Sequence, residues 1–253
     1  MLLAVADALV KIGRVAWMPL DGSLQGPAAD RLMWWNLVAV SVIAVAGHLW
    51  LAIAMLRRNP ARRSVPAAAR WALLVFFTAM YAWMALTAQK LWAETRYDRP
   101  SPTAMHVEVV GEQFQWYFRY PGPDGTYGVA RPQLVNAAAG NPLGIDPRDP
   151  NGRDDVVSSV LVLPAGREVA LRLRSLDVMH GFFIPGMRLK EDAIPGMTLH
   201  VHFTPEKVGT YPILCSQVCG LGHDRMQARL MVVSPTDYAA WIAKRERARE
   251  AEE

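Results

Sequence analysis

Two long apolar runs stand near the start of this chain, and short alternating runs fill most of the remainder. Leu32 to Leu56 is 25 residues without a formal charge, and Trp71 to Gln89 is another 19. A hydrocarbon core about 30 Å thick needs roughly 20 such residues in helical form. A helix buried in a soluble core normally keeps a polar stripe, and neither run has one. The pattern predicts two membrane spans, about 32–56 and 71–91, in a transmembrane helical hairpin covering 31–97. Residues 1–30 read as an outer-side segment. Their opening "MLLAVADALVKIG" lacks a basic start and carries Asp7 inside its apolar run, so it fits a short amphipathic surface helix better than a signal peptide.

Beyond Arg99-Pro100 the period changes. "MHVEVVGEQFQWYFRY" (105–120) alternates and is rich in β-branched and aromatic residues, which predicts a strand with Gly111 as a bulge or bend. Residues 129–155 hold too much Pro, Gly and Asp for regular structure and predict a long ordered loop. Further strands are expected at 156–163, 167–176, 198–204, 209–215 and 227–234. Many short strands broken by turns point to a β-sandwich over 98–236. The tail 237–253 reads as a capped, solvated helix.

Charge supports the same division. Residues 1–96 carry 10 Lys/Arg against 4 Asp/Glu, a net of +6, and residues 97–253 carry 17 against 19, a net of −2. The basic balance therefore flanks the membrane, and a basic nucleic-acid surface on the folded domain is not expected. Arg57, Arg58, Arg62, Arg63 and Arg70 give the 57–70 loop five positive charges and no acid, which places it on the cytoplasmic side with both termini opposite. Trp34, Trp35 and Trp92 fall near the outer boundaries, where indoles favour the interface. His48 lies inside the first span and is expected to be neutral and bonded to a neighbouring helix.

The chemistry is concentrated in "LCSQVCGLGHDRM" (214–226), which holds both cysteines of the chain. A Cys215–Cys219 disulfide is permitted outside the cytoplasm. Zinc normally takes CxxC pairs in a set of four. Thiolates beside imidazole and thioether form a ligand set for copper, and the run Cys-x3-Cys-x3-His-x2-Met lies between two expected strands. "LDVMHGFFIPG" offers His180 at the end of another strand, whereas His200 and His202 share one strand face and read as packed or surface residues. His106 has no partner nearby in sequence. No GxSxG, P-loop, GxGxxG or CxxCH motif is present.

With "SLDVMHGFFIPGMRLKEDAIPGM" and "CSQVCGLGHDRM" following two spans and an aromatic strand, the chain closely resembles subunit II of the haem-copper cytochrome c oxidases. That resemblance implies a cupredoxin-like Greek-key sandwich on the periplasmic side of a bacterial inner, energy-transducing membrane. It also implies a dinuclear copper centre, CuA. Cys215 and Cys219 would bridge both coppers. His180 and Met226 would complete one, and His223 with the backbone carbonyl of Gln217 the other. Oxidase subunits I and III and cytochrome c would be the partners, with no nucleic acid involved. The chain would belong to an oxidoreductase and translocase whose oxygen chemistry resides in subunit I.

Three departures from the family stand out. Many members carry Glu between the cysteines, where it also helps bind magnesium at the subunit I interface; Gln217 removes that anionic ligand, so magnesium is not assigned. The usual "GHQWYW" appears here as "GEQFQW", with Phe114 first and Trp116 second. Trp116 can serve as the exposed electron-accepting aromatic or simply pack, and Asp177 can help dock cytochrome c or cap a strand end. Many members also have a Glu at the start of the second span, and "PAAARWALL" has none. The rival readings are a CuA subunit of a nitric oxide reductase complex, a membrane-anchored copper carrier or thiol module, and a purely structural assembly subunit.

Overall fold

The computed structural model describes residues 18–57 and 66–250. The expected surface helix near the start, and most of the basic 57–70 loop, lie outside the described residues. The chain divides into two units, one containing 27–94 and the other combining 19–26 with the chain from Thr95 onward.

The first unit is made of α1 (Gly26–Leu56) and α2 (Ala67–Arg96), longer than the expected spans. At 1.5 Å per residue each is about 45 Å long, enough to cross a bilayer core. Both are long and apolar enough to do so, and their apolar windows have no buried residues. Val40, Trp50, Phe76 and Leu86 are among the large side chains left exposed along them. His48 Nδ1 lies 2.7 Å from the Ala44 carbonyl one turn earlier in the same helix.

The second unit is a sandwich of two five-stranded sheets. One has the order β3-β2-β1-β5-β8, the other β4-β10-β9-β6-β7. The strands are β1 (Met105–Glu112), β2 (Gln115–Tyr120), β3 (Val156–Ser158), β4 (Val160–Pro164), β5 (Val169–Ser175), β6 (His180–Ile184), β7 (Leu189–Ala193), β8 (Leu199–Phe203), β9 (Gly209–Cys215) and β10 (Gln227–Val233). β1 pairs parallel with β5, and β10 parallel with β4. The order is therefore not a meander, because parallel neighbours require crossovers. Trp116, Phe118, Phe182, Leu171 and Leu230 fill the space between the sheets.

Several expectations are corrected. Residues 105–120 form a hairpin, not one strand, because the chain reverses at Gln113–Phe114 and Glu112 pairs with Gln115. Gly111 is neither bulge nor bend there: it pairs with Trp116 across the hairpin. Residues 156–163 break at Ser159, so that β3 joins one sheet and β4 the other. β6 and β7 were not separately anticipated, because "HGFFIPGMRLKEDA" contains too few residues between its turns to show a period. The 129–155 loop holds short 3-10 turns and bridges pairing Ala130 with Ile145 and Asn136 with Asn141. The final helix, α3 (Pro235–Glu250), is not merely solvated, because Tyr238, Trp241 and Ile242 pack against the core.

Candidate metal centre

Three adjacent strands of one sheet deliver the site. β9 lies between β10 and β6, so the end of β9, the start of β6 and the start of β10 meet at one end of the sandwich. Cys215 is the last residue of β9, His180 the first of β6, and Met226 immediately precedes β10. The intervening loop is closed at its neck by the Cys215 N–H donating to the Met226 carbonyl at 3.1 Å. A second bond, from Ser216 N–H to the Gly181 carbonyl at 2.8 Å, ties it to β6. Strand registry thus positions the ligands before any metal contributes.

The side chains converge. Ligand atoms of His180, Cys215 and Cys219 all lie within 4.8 Å of one another. The two sulfurs are 3.8 Å apart and unbonded, so the disulfide is not formed. Cys219 Sγ is also 3.7 Å from His223 Nδ1 and 3.8 Å from Met226 Sδ. The carbonyl of Gln217 lies 3.1 Å from Cys215 Sγ. Every residue read from the sequence as a ligand is therefore brought to one place.

His180 carries the most informative geometry. Its ring is fully buried, its Nε2 lies 2.8 Å from Asp177 Oδ1, and its buried Nδ1 has no hydrogen-bond partner among the described residues. A buried polar atom without a partner is costly, and a carboxylate on the far nitrogen is the usual arrangement behind a metal-bound imidazole. Two thiols, two imidazoles and a thioether suit copper rather than zinc or a hard cation. The residues present fit the group. Burial, reinforced by the hydrogen bond and charge of Cys215, pushes the Cys219 thiol up to about 11. It remains protonated at neutral pH until a metal displaces the proton.

The opposite sheet clamps the loop. Gln113 Nε2 donates to the Cys219 carbonyl at 2.6 Å, and Gln113 N–H donates to Asp177 Oδ2 at 2.7 Å. A Cβ on Gly111 would sit 2.9 Å from His180 Cδ2, so glycine at that position makes room for the ligand ring. Gly222 serves Phe114 similarly, since a Cβ there would meet its ring at 2.5 Å.

Trp116 and Asp177 each carry two readings in the sequence. Trp116 is fully buried, packed edge-on against His180 and Phe182 with centroids at 5.8 and 5.2 Å. It packs behind the site and is not an exposed aromatic. Phe114, 38% exposed and lying over Gly220 and Gly222, holds the surface position instead. Asp177, with its side chain 27% exposed, accepts from the Gln113 and Val178 N–H groups and from Ser175 Oγ, as well as meeting His180. Burial would raise its carboxyl, but the bonds from His180 and those two amides outweigh burial and hold it below the usual aspartate range. These bonds fit the capping reading of the residue. Sequence reading missed Gln113, for which no local signal exists, and undervalued Phe114, which the Gly-x-Gly of the ligand loop could have revealed.

Comparison with known proteins gives a consistent picture. The family model described as cytochrome c oxidase subunit II, periplasmic domain, matches residues 105–233, about half of the chain. An alternative cytochrome c oxidase subunit 2 of Bradyrhizobium diazoefficiens is 42% identical over 141 residues, covering 55% of this chain and 50% of the relative. A cytochrome c oxidase subunit 2 of Cereibacter sphaeroides is 26% identical over 237 residues, covering 85% of this chain and 76% of that protein. The match thus spans about half the length of the Bradyrhizobium relative. Among solved structures, the periplasmic domain of cytochrome oxidase subunit II of Bradyrhizobium japonicum is similar at 23% identity and a TM-score of 0.43, covering 58% of this chain and 97% of that one.

Proposed function

Because the chain belongs to the cytochrome c oxidase subunit II family, we propose that it is the electron-transfer subunit of a haem-copper terminal oxidase. Its ligands for a dinuclear CuA centre are Cys215, Cys219, His180, His223, Met226 and the carbonyl of Gln217. The observation that carries this reading is the convergence of His180, Cys215 and Cys219 within 4.8 Å, with His180 Nδ1 buried and unpartnered. When bound, the copper pair supplies one-electron storage in a site whose charge two thiolates largely offset.

The chain's own residues make that exchange inexpensive in reorganisation. The neck of the ligand loop is hydrogen-bonded on both sides, and His180 is held by Asp177 while Trp116 packs against its ring. Ligands that do not move between redox states keep the barrier low. Phe114 covers the loop, and Val178, Met179, Val218 and Leu221 are exposed around it. An apolar surface of this kind lets a donor approach closely with little desolvation cost, and reduced cytochrome c is the donor we assign. Asp177 orients the ligand ring in this reading and does not dock the donor.

The division of labour follows the sequence boundaries. Residues 31–97 anchor the chain in the inner membrane, 98–236 carry the copper on the periplasmic side, and α3 braces the sandwich through Tyr238, Trp241 and Ile242. The 57–70 loop faces the cytoplasm. Electrons pass to haem in subunit I, where oxygen is reduced and protons are pumped, and subunit III completes the assembly. Gln217 presents a neutral amide, so magnesium at the subunit I interface would rest on other groups.

Stopped-flow mixing of the copper-loaded chain with reduced cytochrome c tests the proposal. Oxidation of cytochrome c in step with bleaching of the copper absorption, one electron per chain, is expected. A loaded centre that leaves cytochrome c reduced would contradict it.

A further inference from the structure

We propose that the outer face of the β3-β2-β1-β5-β8 sheet carries a second ligand site, a pocket for a phosphate-bearing anion. It is independent of the copper ligands. A cavity of about 300 Å³ opens there, at the lower end of the range for small-molecule sites. Strand registry builds it. His106 pairs with Ala170, which pairs with His202, and one step along the same face Arg172 pairs with His200. Side chains of such rows stand on one face of a sheet. The three imidazoles and Arg172 therefore surround the methyl group of Ala170, whose small size leaves the hollow. Tyr127 completes the wall, its ring centroid 3.7 Å from the Arg172 guanidinium carbon. His106 is five residues from Gly111 along β1, so the pocket lies about 16 Å from the residue beside the His180 ring.

Donor chemistry selects the ligand. Arg172 Nη2 reaches Glu108 at 3.0 Å, but among the described residues its buried Nε has no hydrogen-bond partner, and neither does the buried hydroxyl of Tyr127. Buried donors without acceptors are costly to a fold, and two on residues lining one cavity call for a ligand rich in acceptor oxygens. The charge beneath is unbalanced in the same sense. Arg119, Arg172 and Arg174 converge on Glu108, and Asp155 adds the one further carboxylate on Arg119. Two other charged groups at the pocket are paired, and the Asp98 carboxylate offsets one arginine. His202 meets Glu168 at 2.7 Å and the Asp98 carbonyl at 3.1 Å, and Arg96 pairs with Glu191. Asp98 is the one acidic residue among those lining the cavity.

A metal cation is the competing occupant for three histidines. The guanidinium within the pocket repels it, and His202 already lies 2.7 Å from Glu168 and 3.1 Å from the Asp98 carbonyl. A tetrahedral phosphate, accepting from several directions at once, suits Arg172, Tyr127 and the imidazoles of His106 and His200 better. Asp98 and Pro100 line the cavity just beyond the end of α2 at Arg96, so the phosphate can belong to a lipid headgroup or to a soluble molecule.

Calorimetric titration of the full chain in neutral detergent separates these sources. One arm uses inorganic phosphate, the other bicelles of phosphatidylcholine with and without phosphatidylglycerol. Saturable binding in the first arm identifies a soluble anion, and binding only with phosphatidylglycerol identifies a headgroup. Tyr127→Phe keeps the ring against Arg172, and His106→Ala with His200→Ala alters exposed positions. Each is expected to weaken binding about tenfold, with the circular dichroism spectrum unchanged. No saturable binding in either arm, or affinity unchanged in folded variants, would overturn the proposal.

Discussion

Asp177 and His180 form a 2.8 Å contact between carboxylate Oδ1 and imidazole Nε2, which leaves the buried Nδ1 of the same ring without a hydrogen-bond partner among the described residues. The carboxylate fixes the tautomer: with the proton on Nε2, the Nδ1 lone pair is free for a metal. The assignment of Asp177 as a positioning group has a direct test. Asp177→Asn should retain the fold and the cysteines' copper but weaken copper affinity about 10–100-fold and shift the visible spectrum. Competitive titration with a chelator of known affinity checks this. An unchanged affinity with impaired cytochrome c reduction would restore the docking role instead.

Acid should act through the same contact. The Asp177 carboxyl is held below its ordinary value by His180 and two backbone amides, against the opposing effect of burial. A depressed folded-state value contributes stability above the unfolded value of about 3.9, and that contribution fades as pH falls through the folded value. Thermal melts of the metal-free chain below about pH 4 should therefore fall more steeply for the wild type than for Asp177→Asn.

Copper uptake should favour higher pH. The Cys219 thiol is pushed up to about 11 by burial and by Cys215, so binding at neutral pH must release its proton. Apparent affinity is expected to rise between about pH 6 and pH 8, with protons appearing in weakly buffered solution. A flat profile would mean that Cys219 is not a ligand.

Phe114 and Trp116 should separate cleanly. Phe114→Ala uncovers Gly220 and Gly222 and should slow reduction by cytochrome c about tenfold, as loss of an aromatic contact at an interface typically does, while leaving the copper spectrum intact. Trp116→Ala removes a fully buried ring between His180 and Phe182. It should cost about 3–5 kcal/mol of stability, visible as a lowered melting temperature. Equal effects of both variants on electron transfer would contradict the assignment of Phe114 as the surface aromatic.

How much of this was legible in the residues depends on how local the information is. Cys215, Gln217, Cys219, His223 and Met226 sit within twelve residues, and their spacing carries the ligand set. β9 was read with the bounds it has, because Gly209 and Cys215 mark its ends. Trp116 was harder, since the hairpin turn that buries it is set by pairing with β1 and not by its neighbours in sequence. Gln113 reaches Cys219 across 106 residues, a contact that only the folded sandwich creates. The break at Ser159 escaped for a similar reason: a Ser-Ser pair inside a valine-rich run looks the same whether or not the chain changes sheets there.

The central claim is the dinuclear copper site, and electron paramagnetic resonance of the reduced chain loaded with copper tests it most directly. Two coppers per chain sharing one unpaired electron, with hyperfine structure from both nuclei, is the predicted result. A single localised Cu(II), or a chain that refuses copper even with both cysteines reduced, would contradict it.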